Sequence, residues 1–133
     1  MAFVGPGNNN TATVKGDRSV ALASFGDNNI ATVHGVVSDA AAFFGDNNTA
    51  TVHGDGSFAT AGFGDDNTAT VHGDGSGARA GCLGFVQPRT CVNPPGADNN
   101  TATATGTGST ADAEAPNGCT ARAAGGATVT CSS

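Results

Sequence analysis

Three histidines recur at a fixed interval: His34, His53 and His72 lie 19 residues apart. In a regular repeat they project from equivalent places on successive units. Neighbouring imidazoles can share Zn or Cu; otherwise they are exposed residues whose mutual repulsion grows below pH about 6.5. These three are the candidate metal ligands, and the simpler expectation is that they bind none. Two carboxylate series follow the same ruler, Asp27, Asp46, Asp65 and Asp17, Asp55, Asp74. Stacked like charges about 5 Å apart repel, which a divalent cation relieves, although solvated turns explain them as well. The stretch His53 to Ser57, repeated at His72 to Ser76, contains the residue types of a catalytic triad. A catalytic site does not come in identical copies on successive units, and no phosphate loop or paired-carboxylate site stands out. The expectation is no enzyme and no cofactor.

The four cysteines, Cys82, Cys91, Cys119 and Cys131, all fall late in the chain. A zinc site is the rival to disulfides, but no C-x-x-C spacing is present. Pairing Cys82 with Cys91 and Cys119 with Cys131 is the local solution; Cys82 with Cys119 would have to span two coils, about 9–10 Å, beyond disulfide reach. Disulfides need an oxidising compartment, so secretion is expected. Met1 to Gly5 has no basic n-region and no apolar h-region, so the expectation is a mature chain whose signal was removed.

The positioning elements come from the repeat. Gly-Asp-Asn-Asn-x-Ala-Thr-Val-His-Gly recurs, with small changes, from Gly26, Gly45 and Gly64, with a relative from Gly7. Its asparagines, Asn10, Asn29, Asn48 and Asn67, keep the 19-residue interval. A fixed period implies one supersecondary unit per repeat, stacked on its neighbours. Each unit holds two alternating stretches, Asn-x-Ala-x-Val-x-Gly and Ser-x-Ala-x-Ala-x-Phe, whose constant positions are two apart, the strand period. Constant positions, including Phe25, Phe44 and Phe63, are expected to face a shared interior, with Cys82 in the next Phe place. Turns rich in Gly, Asp, Asn and Ser separate the strands. The ruler continues at Asn100 and Cys119, after an inserted loop at about 83–96. The predicted architecture is all-β: one two-sided β-solenoid domain over 1–133, about six coils, with a disulfide-capped C-terminal end. Buried Asn and Ser would be satisfied by stacking, each amide bonding its copy one coil away.

Composition agrees. Leu, Ile, Val and Phe together make only 21 of 133 residues, and Trp and Tyr are absent. That scarcity suggests disorder in an ordinary chain. Disorder has no reason to keep period-2 positions constant, whereas two closely spaced sheets need a core of Ala and Gly. The net charge of −6 argues against a nucleic-acid partner. No apolar run is long enough to span a membrane.

The pattern G-x-x-N-x-A, with Ser ten residues before Asn, resembles curlin repeats, the units of secreted bacterial amyloid fibres, over residues from about 7 to 115. The resemblance implies an extracellular structural role and self-association into fibres. It departs from curlin where that family commonly carries Gln: those places hold Phe25, Phe44, Phe63 and Gly16, Gly35, Gly54, Gly73, and the unit is about three residues shorter. The Gly- and Asp-rich turns resemble the calcium-binding repeats of secreted toxins, without their G-G-x-G-x-D-x-L pattern. The outer face of the first strand carries Thr11 and Thr13, Ile30 and Thr32, Thr49 and Thr51, Thr68 and Thr70, Thr101 and Thr103. Stacked, it is similar to the Thr-x-Thr face of solenoid antifreeze proteins, which implies an ice surface as partner. Thr also suits any solvent-facing strand. The leading expectation is a secreted structural β-solenoid of a cell surface or matrix; the alternative is ice binding.

Overall fold

The computed structural model describes residues 1–81, 97–114 and 118–131. Among the described residues thirteen strands follow one another and there is no helix. They are β1 (Ala2–Val4), β2 (Thr11–Lys15), β3 (Val20–Ser24), β4 (Ile30–His34), β5 (Asp39–Phe43), β6 (Thr49–His53), β7 (Phe58–Gly62), β8 (Thr68–His72), β9 (Gly77–Gly81), β10 (Thr101–Thr105), β11 (Thr110–Ala113), β12 (Thr120–Ala124) and β13 (Thr128–Cys131). Odd-numbered strands form one parallel sheet in the order β1-β3-β5-β7-β9-β11-β13; even-numbered strands form the other, β12-β10-β8-β6-β4-β2. Each coil contributes one strand to each sheet, which is a two-sided β-solenoid of about six turns. Sequence had not marked β1, whose residues pair with Ala21 to Ala23.

The core is as thin as the composition requires. Ala21, Ala23, Ala40, Ala42, Ala59 and Ala61 line one sheet, and Ala31, Val33, Ala50, Val52, Ala69 and Val71 the other, all essentially without solvent contact. Among the described residues Val33, Val52 and Val71 are the largest side chains fully enclosed. Strand register never slips between coils, because a one-residue shift would turn every Ala outward.

Polar ladders close the two edges of this core. The side-chain carbonyl of each Asn accepts the backbone N–H of the Asn one coil on: Asn29 to Asn10 at 2.8 Å, Asn48 to Asn29 at 3.0 Å, Asn67 to Asn48 at 3.1 Å. Amides near the start of the array donate instead to glycine carbonyls, Asn10 to Gly26 and Asn29 to Gly45, both at 2.8 Å. Each ladder amide thus bonds its copy one coil away, as expected, and does so through that copy's backbone N–H. At the opposite edge Ser19, Ser38, Ser57 and Ser76 form an equivalent chain, each hydroxyl accepting from the next serine's backbone N–H at 3.1–3.2 Å. Asn100 takes up the series 33 residues after Asn67, so the insertion leaves the register intact.

The phenylalanines overturn an expectation. Phe25, Phe44 and Phe63 have φ of +56°, +54° and +57°, the left-handed region. That bend ends the strand alternation one residue early, so the rings swing outward, and Phe25 and Phe44 are 51% and 44% exposed. They still form a ladder, with ring centroids 4.8 Å apart for Phe25 and Phe44 and 5.0 Å for Phe44 and Phe63. It lies on the surface of the corner and not in the core. Left-handed backbone costs a bulky residue roughly 1–2 kcal/mol, and ring stacking offsets about 0.5–1.5 kcal/mol of it.

Cys119 and Cys131 are joined by a disulfide, with Cα atoms 6.1 Å apart. It crosses between the sheets in the last coil. The expected Cys82–Cys91 bridge and the inward place of Cys82 lie outside the described residues, as does the inserted loop.

Candidate functional site: the threonine and histidine ranks

The outer face of the even-numbered sheet is the most regular surface of the molecule. Strand pairing aligns Thr11, Ile30, Thr49, Thr68, Thr101 and Thr120 in one rank. A second holds Thr13, Thr32, Thr51, Thr70 and Thr103, ending at Arg122. Thr11 is exposed and the other threonines of the two ranks from Thr13 to Thr103 are half-buried by their neighbours. The alternation of β-branched Thr with buried Ala and Val is what turns every hydroxyl and methyl to one side. All the threonines read from sequence therefore share one face, interrupted by Ile30.

A third rank flanks these two: Lys15, His34, His53, His72, Thr105. The Nδ1 atoms of His53 and His72 are 3.3 Å apart, with ring centroids at 5.0 Å and planes 29° from parallel. His34 meets His53 edge-on, at 4.9 Å and 64°. Partial burial, then the charges of His72 and His34, hold the imidazole of His53 below its ordinary pKa. Among the described residues no group of three or more His, Cys, Asp or Glu is gathered so as to enclose a metal ion.

The opposite face has no comparable order. Its outer positions run Val20, Asp39, Phe58, Gly77, Thr110 and Thr128 in one rank, and Leu22, Ala41, Thr60, Arg79, Asp112 and Thr130 in the next. Arg79 lies 4.7 Å from the Phe58 ring centroid and 3.6 Å from Asp112.

Most of the repeated Asp side chains are hydrogen-bonded to a neighbouring coil. Asp46 accepts the backbone N–H of Asp27 at 2.7 Å, Asp65 that of Asp46 at 2.8 Å, and Asp98 that of Asp65 at 2.8 Å. Asp55 and Asp74 do the same at the other corner, for Val36 and Asp55, both at 2.8 Å. Each of these five carboxylates thus receives a backbone dipole from the adjacent coil. These bonds had no signal in sequence beyond the fixed place of Asp in the turn.

Fold and surface define a parallel β-solenoid repeat protein. No family model matches the chain, and neither curated proteins nor solved structures provide a match.

Proposed function

We propose that this chain is a secreted, non-enzymatic structural β-solenoid, acting at a cell surface or in an extracellular matrix as a rigid module with one closed end. The observation that carries this reading is that both internal ladders stop at the same end. Cys119 stands where the next Asn belongs, and Ala127 stands where the next Ser belongs. The Ser109 hydroxyl accepts its last ladder bond from the backbone N–H of Gly126 at 3.0 Å, and the Cys119–Cys131 disulfide ties the two sheets together there. A repeat made for unlimited head-to-tail growth needs its ladder residues up to the last coil. Exposed sheet ends otherwise recruit further chains. Support for secretion is chemical: a disulfide persists in oxidising compartments.

The test is electron microscopy with sedimentation velocity on the oxidised protein. Discrete particles are expected. Filaments in the oxidised parent would replace this reading by that of a fibre subunit, the role implied by the likeness to curlin.

One observation favours a second reading, ice binding: the even-numbered sheet carries threonine in both outer ranks over five coils, apart from Ile30, while residue type varies on the opposite face. Thermal hysteresis in the parent, abolished by Thr51→Tyr with Thr70→Tyr, is the expected result on that reading. No hysteresis in the parent ends it.

A further inference from the structure

The histidine rank is uneven in a way that the repeat does not require. His34, His53 and His72 occupy equivalent sites, yet only His53 and His72 bring two ring nitrogens together, Nδ1 to Nδ1 at 3.3 Å. One proton shared as N–H···N accounts for that approach in the free protein. The same separation is also the span of two ligands on one metal ion. With metal–nitrogen bonds of about 2.0–2.1 Å, a tetrahedral angle places the two nitrogens about 3.3–3.4 Å apart. A right angle, as in a square-planar site, would need about 2.9 Å. The observed separation matches the span of two ligands on a tetrahedral ion and exceeds that of a right-angled pair.

We propose that His53 and His72 form a two-imidazole surface site for Zn²⁺, with water completing the coordination. β6 and β8 are paired residue for residue, so the two Cα positions are held by the sheet and no loop must be ordered on binding. His72 is exposed and His53 half-buried, which leaves both rings free to turn their Nδ1 lone pairs toward a common point. His34 stands two coils from His72, about 9–10 Å, too far to join the same ion. It also lies beside Lys15, whose ammonium disfavours a cation at that end of the rank. Among the described residues the next place in the rank, beyond His72, holds the uncharged Thr105. The chain's net charge of −6 adds a general attraction for cations. A bound ion would clip two adjacent coils together on the face that carries the threonine ranks.

Calorimetric titration of ZnCl2 into the full-length, oxidised, tag-free chain at pH 7.5 tests this. One ion per chain is expected. His53→Gln and His72→Gln should each weaken binding at least tenfold, and His34→Gln should leave it within twofold. A second measurement needs no variant: in the parent, the Nδ1 resonances of His53 and His72 should shift on zinc addition while those of His34 stay in place. Absence of uptake by the parent overturns the proposal. So does uptake that survives both substitutions, that is lost equally with His34→Gln, or that leaves the ring resonances of His53 and His72 unmoved.

Discussion

The side-chain carbonyl of Asn100 accepts the backbone N–H of Cys119 at 2.9 Å, and Cys119 has no amide with which to serve a further coil. The residue that ends the asparagine ladder is thus the one that begins the terminal disulfide. An exposed sheet end and an unfinished ladder are the two things that would invite another chain, and one substitution in the repeat answers both.

The disulfide's contribution follows from the loop that it closes. Cys119 and Cys131 are 12 residues apart, and a loop of that size constrains the unfolded chain by about 3 kcal/mol. Cys119→Ser with Cys131→Ser should lower the urea-unfolding free energy by about that amount. If closure at this end keeps the molecule discrete, filaments should appear in the variant on standing; their absence in electron micrographs would show that the disulfide is not what prevents growth.

Interior rungs should be costly to remove. Asn48→Ala takes the acceptor from the buried backbone N–H of Asn67. A loss of about 1–3 kcal/mol is expected, the range for a buried donor left unpaired. Urea denaturation measures it, and a change near zero would mean that water replaces the amide.

Glycine at the curlin glutamine places has a steric cause. A Cβ on Gly54, where φ is +152°, would stand 2.6 Å from the carbonyl carbon of Gly73. Gly54→Gln should therefore prevent the coil from closing, seen as loss of β circular dichroism. Gly56→Ala, at φ +61° with open space around it, should cost only the left-handed backbone penalty, roughly 1–2 kcal/mol.

The outward phenylalanine ladder makes a further quantitative prediction. Phe44→Ala in a core would cost about 3–5 kcal/mol. On the surface it forfeits stacking with Phe25 and Phe63, about 0.5–1.5 kcal/mol for each pair, and relieves no cavity. A loss below about 3 kcal/mol in thermal or urea unfolding is the expected outcome.

The imidazole of His53 is held below its ordinary value of 6.5 by partial burial and by His72 and His34. In the unfolded chain it takes up a proton first as pH falls. Stability is therefore full above pH 6.5 and declines as pH drops from there toward the lower folded value. Because the ring is only partly buried the slope is shallow. In metal-free buffer the urea midpoint should fall between pH 7 and pH 5, and His53→Gln should flatten that part of the curve.

Much of this was legible in one dimension because the structure is itself nearly one-dimensional. Each residue's neighbours are its copies one coil away, so spacing in sequence is spacing in space. The 19-residue interval alone placed the threonine ranks, the histidine rank, the Ala and Val core and the last-coil cysteine pair. β1 escaped notice because Ala2 to Val4 lacks the Asn and Ser that mark other coils.

Sequence by itself determined the period, the two strands per coil and which residues share a rank, since alternation between buried Ala and exposed Thr permits one register only. Tertiary structure decided what the corners do. A left-handed turn at Phe25, Phe44 and Phe63 reversed the side on which those rings lie, because period-2 reasoning fails wherever φ changes sign. Coil-to-coil approach decided that the ladder Asn and most turn Asp side chains accept backbone N–H groups of the neighbouring coil, and that His53 and His72 meet at their nitrogens while His34 does not. Those are contacts of a few ångströms between chains of atoms 19 residues apart, which an interval can align but cannot orient.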